Sequence, residues 1–249
     1  MAKEILSKNA VRCIYRDGDK VLKEFAEGFP KDEVFHEAFI NARIEEIYGQ
    51  SVPKVLSVSC VRGKWTLTKE YAEGETLEAL MKKNPAKKQA YLQKMLELQL
   101  QIQAFKAPVL EQLKSKMRRQ INELNGIDEG TRYELLTRLE GMPEHEKLCH
   151  GDLRPSNIIV DQNGEYRVID WVHATKGNAS ADIARTYLIL ALDDKKTADS
   201  YLDMFCEKTK TKKEYVQNWL PIVAAAQLTK KRPEEETELR TWLQICDHM

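Results

Sequence analysis

Apolar and polar residues alternate along most of the first 71 positions, as they do in β-strands, and one stretch among them has helical spacing. Alternation marks Val11–Tyr15 and Val21–Phe25. Asp17-Gly18 between them favours a hairpin, because glycine accepts the positive φ of a tight turn. After Pro30 the apolar spacing becomes helical until Gly49, at Phe35, Ala38, Phe39 and Ala42.

Two further strands are predicted after this helix. Leu56, Val58 and Cys60 alternate with serines, which indicates a half-buried strand. Arg62-Gly63-Lys64 then turns the chain into a second strand over Trp65–Tyr71. The predicted order is therefore strand, strand, strand, helix, strand, strand, as in an antiparallel sheet that carries one helix.

Helical spacing dominates from Gly74 onward. Two apolar stripes follow, one made of Tyr91, Met95, Leu98, Ile102 and Phe105 and the other of Leu110, Leu113, Met117, Ile121 and Leu124. Stripes of this kind normally face a core, so we assign both to the interior. Beyond an irregular segment, short strands are predicted at Ile158–Val160 and Tyr166–Ile169. Three or four more helices are expected from Asp182 onward.

The composition is typical of a globular protein. The chain has 249 residues, of which 42% are hydrophobic and 31% charged, enough for one domain or two joined lobes. Its 39 basic and 39 acidic residues balance, so neither nucleic acid nor a membrane is indicated as a partner. No apolar run predicts a signal peptide or a membrane span. We therefore expect a cytoplasmic protein, and the sequence leaves its oligomeric state open.

The cysteines lie far apart, at Cys13, Cys60, Cys149, Cys206 and Cys246. None belongs to a Cys-x-x-Cys pair, and no histidine cluster stands near them. Neither a disulfide framework nor a zinc site is predicted, which agrees with a reducing compartment.

The candidate chemistry lies in the segment His150-Gly-Asp-Leu-Arg-Pro-Ser-Asn157 and in Ile169-Asp170-Trp171. Asn157 precedes one predicted strand and Asp170 follows its partner, so the hairpin should bring the two side chains together. A carboxylate beside an amide oxygen suits Mg²⁺, which keeps its other positions for phosphate and water. Asp152, in the same loop as Asn157, is then placed to accept the proton of a hydroxyl group.

These segments resemble the catalytic loop and the metal-binding aspartate of the aminoglycoside phosphotransferase, choline kinase and fructosamine kinase group, which is related to the protein kinases. The resemblance implies that Asp152 is the catalytic aspartate and that Asn157 and Asp170 bind Mg²⁺. It implies a structural role for His150, packed beneath the loop. The implied activity is transfer of the γ-phosphoryl group of ATP or GTP to a hydroxyl of a small acceptor such as an amino sugar or amino alcohol.

Two upstream residues fit the same resemblance. In such kinases a strand lysine holds the α- and β-phosphates and pairs with a glutamate on the next helix, which here implies Lys23 and Glu37. Either residue alone would be interpreted as a solvated charge. However, Val21 and Phe25 put Lys23 on the apolar face of its strand, where an unpaired ammonium is costly. Lys23 therefore requires an anion.

The resemblance also implies a hinge at residues 72–76, with the Glu70 carbonyl and the Ala72 amide facing the nucleotide base. Asp182 is expected to cap the helix that follows the metal loop and to brace the catalytic loop. The segment after Leu6 lacks the glycines of protein-kinase phosphate loops. A side chain should donate to phosphate instead, either Ser7 or Asn9.

Two alternatives stay open. A protein kinase would carry a long activation segment, whereas only eleven residues separate Asp170 from Asp182 and no Ala-Pro-Glu follows. A non-catalytic nucleotide-binding or regulatory protein on the same fold would normally lack one of the key residues. All of them are present, and only the glycine-poor loop favours this alternative.

The expected fold is α+β, a bilobal protein-kinase-like fold with a small antiparallel-sheet N-terminal lobe and a larger, mainly helical C-terminal lobe. Residues 1–71 would form the nucleotide-binding lobe and residues 77–249 the helical lobe, joined by the hinge. The helical lobe would contain a catalytic loop at residues 148–160 and a metal loop at residues 167–182. The nucleotide is expected in the cleft between the lobes.

The acceptor is expected between the catalytic loop and residues 183–249. Acidic residues there would attract a cationic acceptor, although solvated helix faces explain them equally well and nearby lysines dilute their field; they are Asp193, Asp194, Asp199, Asp203 and Glu207. Aromatic residues at helical spacing are assigned to the core rather than to a binding wall: Trp171, Tyr187, Trp219 and Trp242. The sequence therefore leaves the acceptor undetermined.

Overall fold

The computed structural model describes residues 4–49 and 52–243 and divides the chain into two compact units. As far as they are described, the first unit consists of Met1–Asn84 with Pro155–His173, and the second of Pro85–Arg154 with Ala174–Met249. The sequence-based boundary placed residues 155–173 in the helical lobe. They group with the N-terminal residues instead, because their hairpin pairs with the strand Glu75–Thr76.

The first unit is built on an antiparallel sheet. Within its described residues, five strands pair in the order β1-β2-β3-β5-β4, with bounds β1 (Glu4–Lys8), β2 (Arg12–Asp17), β3 (Lys20–Phe25), β4 (Val55–Val61) and β5 (Lys64–Glu70). Helix α1 (Lys31–Tyr48) packs on β4 and β5. Phe25, Val34 and Leu67 form the core between sheet and helix. The predicted order of elements is confirmed.

Helix α1 buries a different face from the one predicted. Phe35 and Phe39 are each 46% exposed, and the ring of Phe35 meets that of Trp65 edge-on at 5.5 Å. The buried apolar side chains are Val34, Ile40 and Ile44. Both sets have helical spacing, so periodicity predicts the helix but does not decide which stripe faces the sheet.

Strand β4 lies at the edge of the sheet and is more exposed than predicted. Its register against β5 shifts between Val55 and Ser57, which is the mark of a β-bulge. The bulge changes the phase of the alternation. Val55 and Val58 therefore pack against the core, whereas Leu56 and Cys60 are exposed.

A small second sheet completes the first unit, with β6 (Glu75–Thr76) and β9 (Tyr166–Val168) on either side of β8 (Ile158–Val160). The hairpin of β8 and β9 is the one that the sequence predicts. Gly74, before β6, has φ +132, and a Cβ there would lie 2.2 Å from the carbonyl oxygen of Val160. Only glycine fits this close approach. Helix α2 (Leu77–Lys83) follows β6.

The second unit is mainly helical. Its helices in the described residues are α3 (Lys88–Ile102), α4 (Leu113–Glu123), α5 (Glu129–Gly141), α6 (Ala179–Ala191), α7 (Lys195–Thr209), α8 (Lys213–Gln217), α9 (Leu220–Leu228) and α10 (Pro233–Leu243). Strands β7 (Lys147–Cys149) and β10 (Thr175–Gly177) pair antiparallel. The stripe from Leu110 to Leu124 is buried as predicted, whereas Phe105 of the first stripe is exposed. The assigned core aromatics are buried, both Trp171 of the first unit and those of the second: Tyr187, Trp219 and Trp242.

Over residues 4–49 and 52–243, no helix combines the length and apolar character needed to cross a membrane. The cysteines of that part of the chain are free thiols, and Cys246 lies outside the described residues.

Candidate active site

Lys23 and Glu37 form a buried ion pair within the first unit. Lys23 alternates with Phe25 on the core face of β3 and is only 5% exposed. Its Nζ lies 2.6 Å from Oε2 of Glu37. Glu37 is on the face of α1 that packs against the sheet. Asn41, one turn further along α1, donates from Nδ2 to the Glu37 carbonyl at 2.8 Å. The expected pairing of strand lysine and helix glutamate is therefore present.

The electrostatics of this pair favour a further anion. Burial lowers the pKa of Lys23, and the carboxylates of Glu37 and Asp170 only oppose that shift. The ammonium is thus incompletely compensated by the protein. A phosphate group beside it would supply the missing negative charge and raise its pKa again.

Lys69 is a site residue that the sequence analysis missed. It lies on β5, two residues beyond the buried Leu67, and its Nζ is 3.8 Å from Glu37 Oε1. The same alternation that places Lys23 on the core face also places Lys69 there. The signal was available in the run Trp65-Thr-Leu-Thr-Lys69.

A cavity of about 680 Å³ opens within the first unit. Apart from Asn9, every residue of this unit that the sequence analysis selected lines its wall, as does Lys69: Ser7, Lys23, Glu37, Glu70, Ala72, Asn157 and Asp170. The wall also includes apolar side chains suited to a flat base, namely Leu6, Ile14, Val21, Ile159 and Ile169.

The β8–β9 hairpin holds Asn157 and Asp170 at its open end. Ile158 pairs with Val168, and the Ile169 amide donates to the Asn157 carbonyl at 2.9 Å. Asp170 has φ 64, a left-handed conformation that costs a residue with a Cβ about 1–3 kcal/mol and that is concentrated at functional sites. Both side chains line the cavity.

These two oxygen donors fit a hard divalent cation such as Mg²⁺. Among the described residues there is no group of three or more His, Cys, Asp or Glu side chains arranged to enclose a metal ion. A cation held by Asn157 and Asp170 would keep positions for other oxygen ligands, as Mg²⁺ does when it binds phosphates.

The turn between β1 and β2 separates the two predicted phosphate donors. Asn9 Oδ1 accepts hydrogen bonds from the amides of Val11 and Arg12, at 3.0 and 2.9 Å, and so closes the turn. Ser7 lines the cavity. Of the two candidates, only Ser7 belongs to the cavity wall, so it is the one that stays a candidate donor to phosphate.

The loop that carries Asp152 belongs to the second unit, where hydrogen bonds to its main-chain amides hold it in place. His150 is fully buried, and its Nδ1 accepts a hydrogen bond from the Asp152 amide at 3.2 Å. The Gly151 amide donates to Asp182 Oδ1 at 2.8 Å. Asp182 Oδ2 accepts from Gln99 and Gln103 of the same unit, at 2.8 and 3.1 Å. This is the bracing expected of His150 and Asp182.

The capping role expected of Asp182 is wrong. Helix α6 begins at Ala179, and its N-cap is Asn178, whose Oδ1 accepts from the Ser180 amide at 2.9 Å. Asp182 lies in the first helical turn, so its carboxylate is free to hold the Gly151 amide instead.

Three cations meet the Asp152 carboxylate, and the sequence analysis did not assign any of them. Arg154 Nη2, Lys230 Nζ and Arg185 Nη2 lie 3.1, 3.3 and 3.8 Å from Asp152 Oδ1. Arg154 stands two residues after Asp152 in the motif, and Arg185 lies one helical turn beyond Asp182. Both could therefore have been proposed from the sequence. Lys230, beyond α9, carried no signal.

The sequence matches the family model described as "Phosphotransferase enzyme family" over residues 6–215, which is most of its length. The chain belongs to this family. The predicted family, the small-molecule kinase activity and the enzyme class are thereby confirmed.

Solved structures of family members share the protein-kinase-like fold, which confirms the predicted fold class. A thermostable mutant of aminoglycoside phosphotransferase APH(4)-Ia, in ternary complex with AMP-PNP and hygromycin B, is 17% identical, with a TM-score of 0.71 over 98% of this chain and 90% of that one. An aminoglycoside-3'-phosphotransferase of type VIII is 18% identical, with a TM-score of 0.64 over 90% and 93%. Choline kinase LicA from Streptococcus pneumoniae is 14% identical, with a TM-score of 0.63 over 98% and 93%. No curated protein matches the sequence.

Proposed function

We propose that this phosphotransferase uses Mg²⁺ and ATP or GTP to phosphorylate a hydroxyl group of a small metabolite. The nucleotide would occupy the cavity of the first unit, and Asp152 of the second unit would act on the acceptor. The observation that carries the proposal is the single cavity wall shared by Lys23, Glu37, Asn157 and Asp170.

The phosphates of the nucleotide would be held by charged side chains, and its base by main-chain groups of the cavity wall. Lys23, paired with Glu37 and incompletely compensated, would bind the α- and β-phosphates. Lys69 adds a second ammonium on the same wall. Main-chain groups of Glu70 and Ala72 would face the base, which fits their position on the wall.

Asn157 and Asp170 would hold the metal ion. When bound, Mg²⁺ neutralises charge on the β- and γ-phosphate oxygens and so lowers the cost of the charge that develops in transfer. The left-handed backbone of Asp170 supports this assignment, because a strained residue whose side chain lines a cavity is typical of ligand-binding positions.

Asp152 would orient the acceptor hydroxyl and accept its proton. In the transfer, the acceptor oxygen forms a bond to the γ-phosphorus while the bond from that phosphorus to the β–γ bridging oxygen breaks. The nucleoside diphosphate leaves, and the hydroxyl proton passes to the Asp152 carboxylate. The transition state is loose, so the position of the carboxylate matters more than its basicity. That position is supplied by the hydrogen bonds that His150 and Asp182 accept from the amides of Asp152 and Gly151.

Two substitutions separate metal binding from chemistry. Asp170→Ala should abolish the Mg²⁺-dependent part of AMP-PNP affinity. Asp152→Ala should leave that affinity intact and lower turnover of an accepted substrate about 10²- to 10⁴-fold. Isothermal titration with and without Mg²⁺ measures the first effect, and coupled detection of ADP measures the second.

Glu165→Ala is the matched control, because it removes an exposed carboxylate from the same hairpin. It should behave as wild type in both assays. Equal Mg²⁺-dependent affinity in wild type and Asp170→Ala would contradict the metal assignment. Turnover that survives Asp152→Ala would contradict the assignment of the catalytic aspartate.

A further inference from the structure

The second unit gathers five cationic side chains around Asp152, which we call the basic cluster: Lys116, Arg154, Arg185, Lys230 and Arg232. Arg154, Arg185 and Lys230 approach the Asp152 carboxylate directly, at 3.1 to 3.8 Å. Lys116 of α4 adds its charge to the field of Arg185 and Asp152, and Arg232 adds its charge to that of Lys230. The cluster therefore draws on α4, the catalytic loop, α6 and the segment between α9 and α10.

Among the described residues, two carboxylates form ion pairs with members of the basic cluster. Asp152 is shared by three of the cations, and Glu235 pairs with Arg232, at 2.8 Å from its Nη1. The other nearby acids have partners of their own. Asp182 holds the Gly151 amide and Gln99, and Glu111 pairs with Arg119. The one carboxylate of Asp152 is thus shared by three cations in direct contact, whereas Asp182, Glu111 and Glu234 act on members of the cluster only through their electrostatic field.

Burial makes this excess of positive charge costly. Arg185 is only 7% exposed, and its Nη2 donates to Gln227 Oε1 at 2.5 Å. The Nε atoms of Arg185 and Arg154 are buried and have no hydrogen-bond partner among the described residues. Desolvated guanidinium groups of this kind normally face an anion.

The pKa values of two lysines in the cluster are lowered as well. Burial and the charge of Arg185 lower the pKa of Lys230 to about 7 and that of Lys116 to about 8. Burial is the larger cause for both lysines, and the repulsion from Arg185 adds to it. An additional anion at the cluster would reverse both shifts.

Three of the acidic residues that would attract a cationic acceptor are already engaged. Asp194 lies 2.9 Å from Lys88 Nζ, Asp199 lies 2.9 Å from Lys195 Nζ, and Asp203 lies 2.6 Å from Lys213 Nζ. Each is thus neutralised by a lysine of its own unit. The charge that distinguishes the surroundings of Asp152 is positive.

We propose that the acceptor is a small hydroxyl compound that carries an anionic group, a phosphate or a carboxylate, and that the basic cluster binds that group beside Asp152. The inference rests on the proposed function and specifies its substrate class. It excludes cationic acceptors such as amino sugars and choline, since Arg185 and its neighbours would repel them.

The binding test uses inorganic phosphate as the probe, titrated calorimetrically into the full chain at pH 6.5 with saturating Mg²⁺ and AMP-PNP. The nucleotide analogue fills the γ-phosphoryl position, so that phosphate reports on the acceptor site. Wild type should bind phosphate, and Lys230→Met and Arg154→Met should each weaken that binding about tenfold or more, as expected for loss of a charge-assisted hydrogen bond. Lys87→Met removes one positive charge from an exposed position of the same unit and should change nothing.

A phosphate affinity that is absent, or equal in wild type and both variants, would overturn the inference. Should Lys230→Met fail to fold by circular dichroism, Arg154→Met decides, because Arg154 is the more exposed side chain. If AMP-PNP displaces phosphate from wild type, the cluster serves the nucleotide and the inference is also overturned. If wild type failed to bind AMP-PNP at all, that result would instead contradict the proposed function.

A turnover screen separates the two sources of negative charge from each other and from cationic acceptors. Glycerol 3-phosphate and D-glycerate present a phosphate and a carboxylate, and kanamycin and choline serve as cationic comparators. ADP release with either anionic compound and with neither cation supports the inference. ADP release with a cation alone overturns it.

Discussion

At the scale of the residue, Glu37 shows how a buried carboxylate organises a phosphate-binding wall. Lys23 Nζ lies 2.6 Å from one of its oxygens and Lys69 Nζ lies 3.8 Å from the other. The shorter contact is a charge-assisted hydrogen bond, whereas the longer one is a Coulombic contact only. The two lysines should therefore contribute unequally to nucleotide binding.

We expect Lys23→Met to weaken Mg²⁺-dependent AMP-PNP binding about 10- to 100-fold, the loss of one hydrogen bond between charged groups. Lys69→Met should weaken it less, by about tenfold at most, because Lys69 is further from Glu37 and less buried. Calorimetric titration of the two variants beside wild type gives the comparison. Lys64→Met, at an exposed position of β5, is the control and should leave the affinity unchanged. The reverse ranking of Lys23 and Lys69 would refute this account.

Sequence reasoning reaches a site residue when a local pattern constrains it. Alternation along β3 was sufficient to place Lys23 on the core face, and the same rule applied to β5 would have found Lys69. The motif fixes Asn157 and Asp170 because a hairpin joins them. Lys230 contacts Asp152 and Lys116 acts on it through its charge, but both come from segments distant in sequence, so no pattern along the chain predicts these two members of the basic cluster.

At the scale of the element, the periodicity of apolar residues predicts that a strand or helix forms better than it predicts which face of that element is buried. The strands and helix of the first unit appear in the predicted order, yet α1 turns a different stripe to the sheet and β4 shifts phase at its bulge. Both outcomes depend on the neighbouring surface, which a local pattern does not contain. No apolar stripe was assigned to helix α5, in which the buried side chains are Leu135 and Leu139.

The close approach of the chain before β6 to strand β8 depends on a single residue, Gly74. We expect Gly74→Ala to lower the free energy of unfolding by more than about 2 kcal/mol, because the new Cβ would overlap the Val160 carbonyl and φ +132 disfavours any side chain. Gly164→Ala, in the β8–β9 turn, is the matched control. It has φ +78 and open space around the site, so only about 1 kcal/mol should be lost. Urea unfolding measures both, and equal losses would show that the close approach of β6 to β8 is not limiting.

At the scale of the whole molecule, family membership determines the reaction, and the charge distribution narrows the substrate. The solved relatives are 14–18% identical to this chain, and such similarity establishes a common fold but not a common acceptor. The net charge of the chain is zero, so composition gave no hint of a positive site. The folded protein separates its charges, with cations concentrated around Asp152 and acids paired on the outer helices.

This separation of charge should make stability depend on pH. Lys230 has a pKa of about 7 in the folded protein against an ordinary value of 10.5, owing first to burial and then to the charges of Arg185 and Arg232, with Asp152 opposing. Between these two values the unfolded chain binds more protons than the folded one. The free energy of unfolding should therefore rise with pH over that range, by up to ~1.4 kcal/mol per pH unit from one such group. Lys116, with a pKa of about 8, adds to the rise in the upper part of the window.

Lys230→Met removes the titrating ammonium and should flatten this dependence. We expect the urea midpoint of wild type to increase between pH 7.5 and pH 9.5 and that of Lys230→Met to increase distinctly less. Lys87→Met should keep the wild-type slope, because it removes an exposed ammonium from the same unit. Parallel curves for wild type and Lys230→Met would mean that Lys230 is protonated alike in the folded and unfolded states. The positive excess around Asp152, on which the assignment of an anionic acceptor depends, would then be compensated by the protein itself.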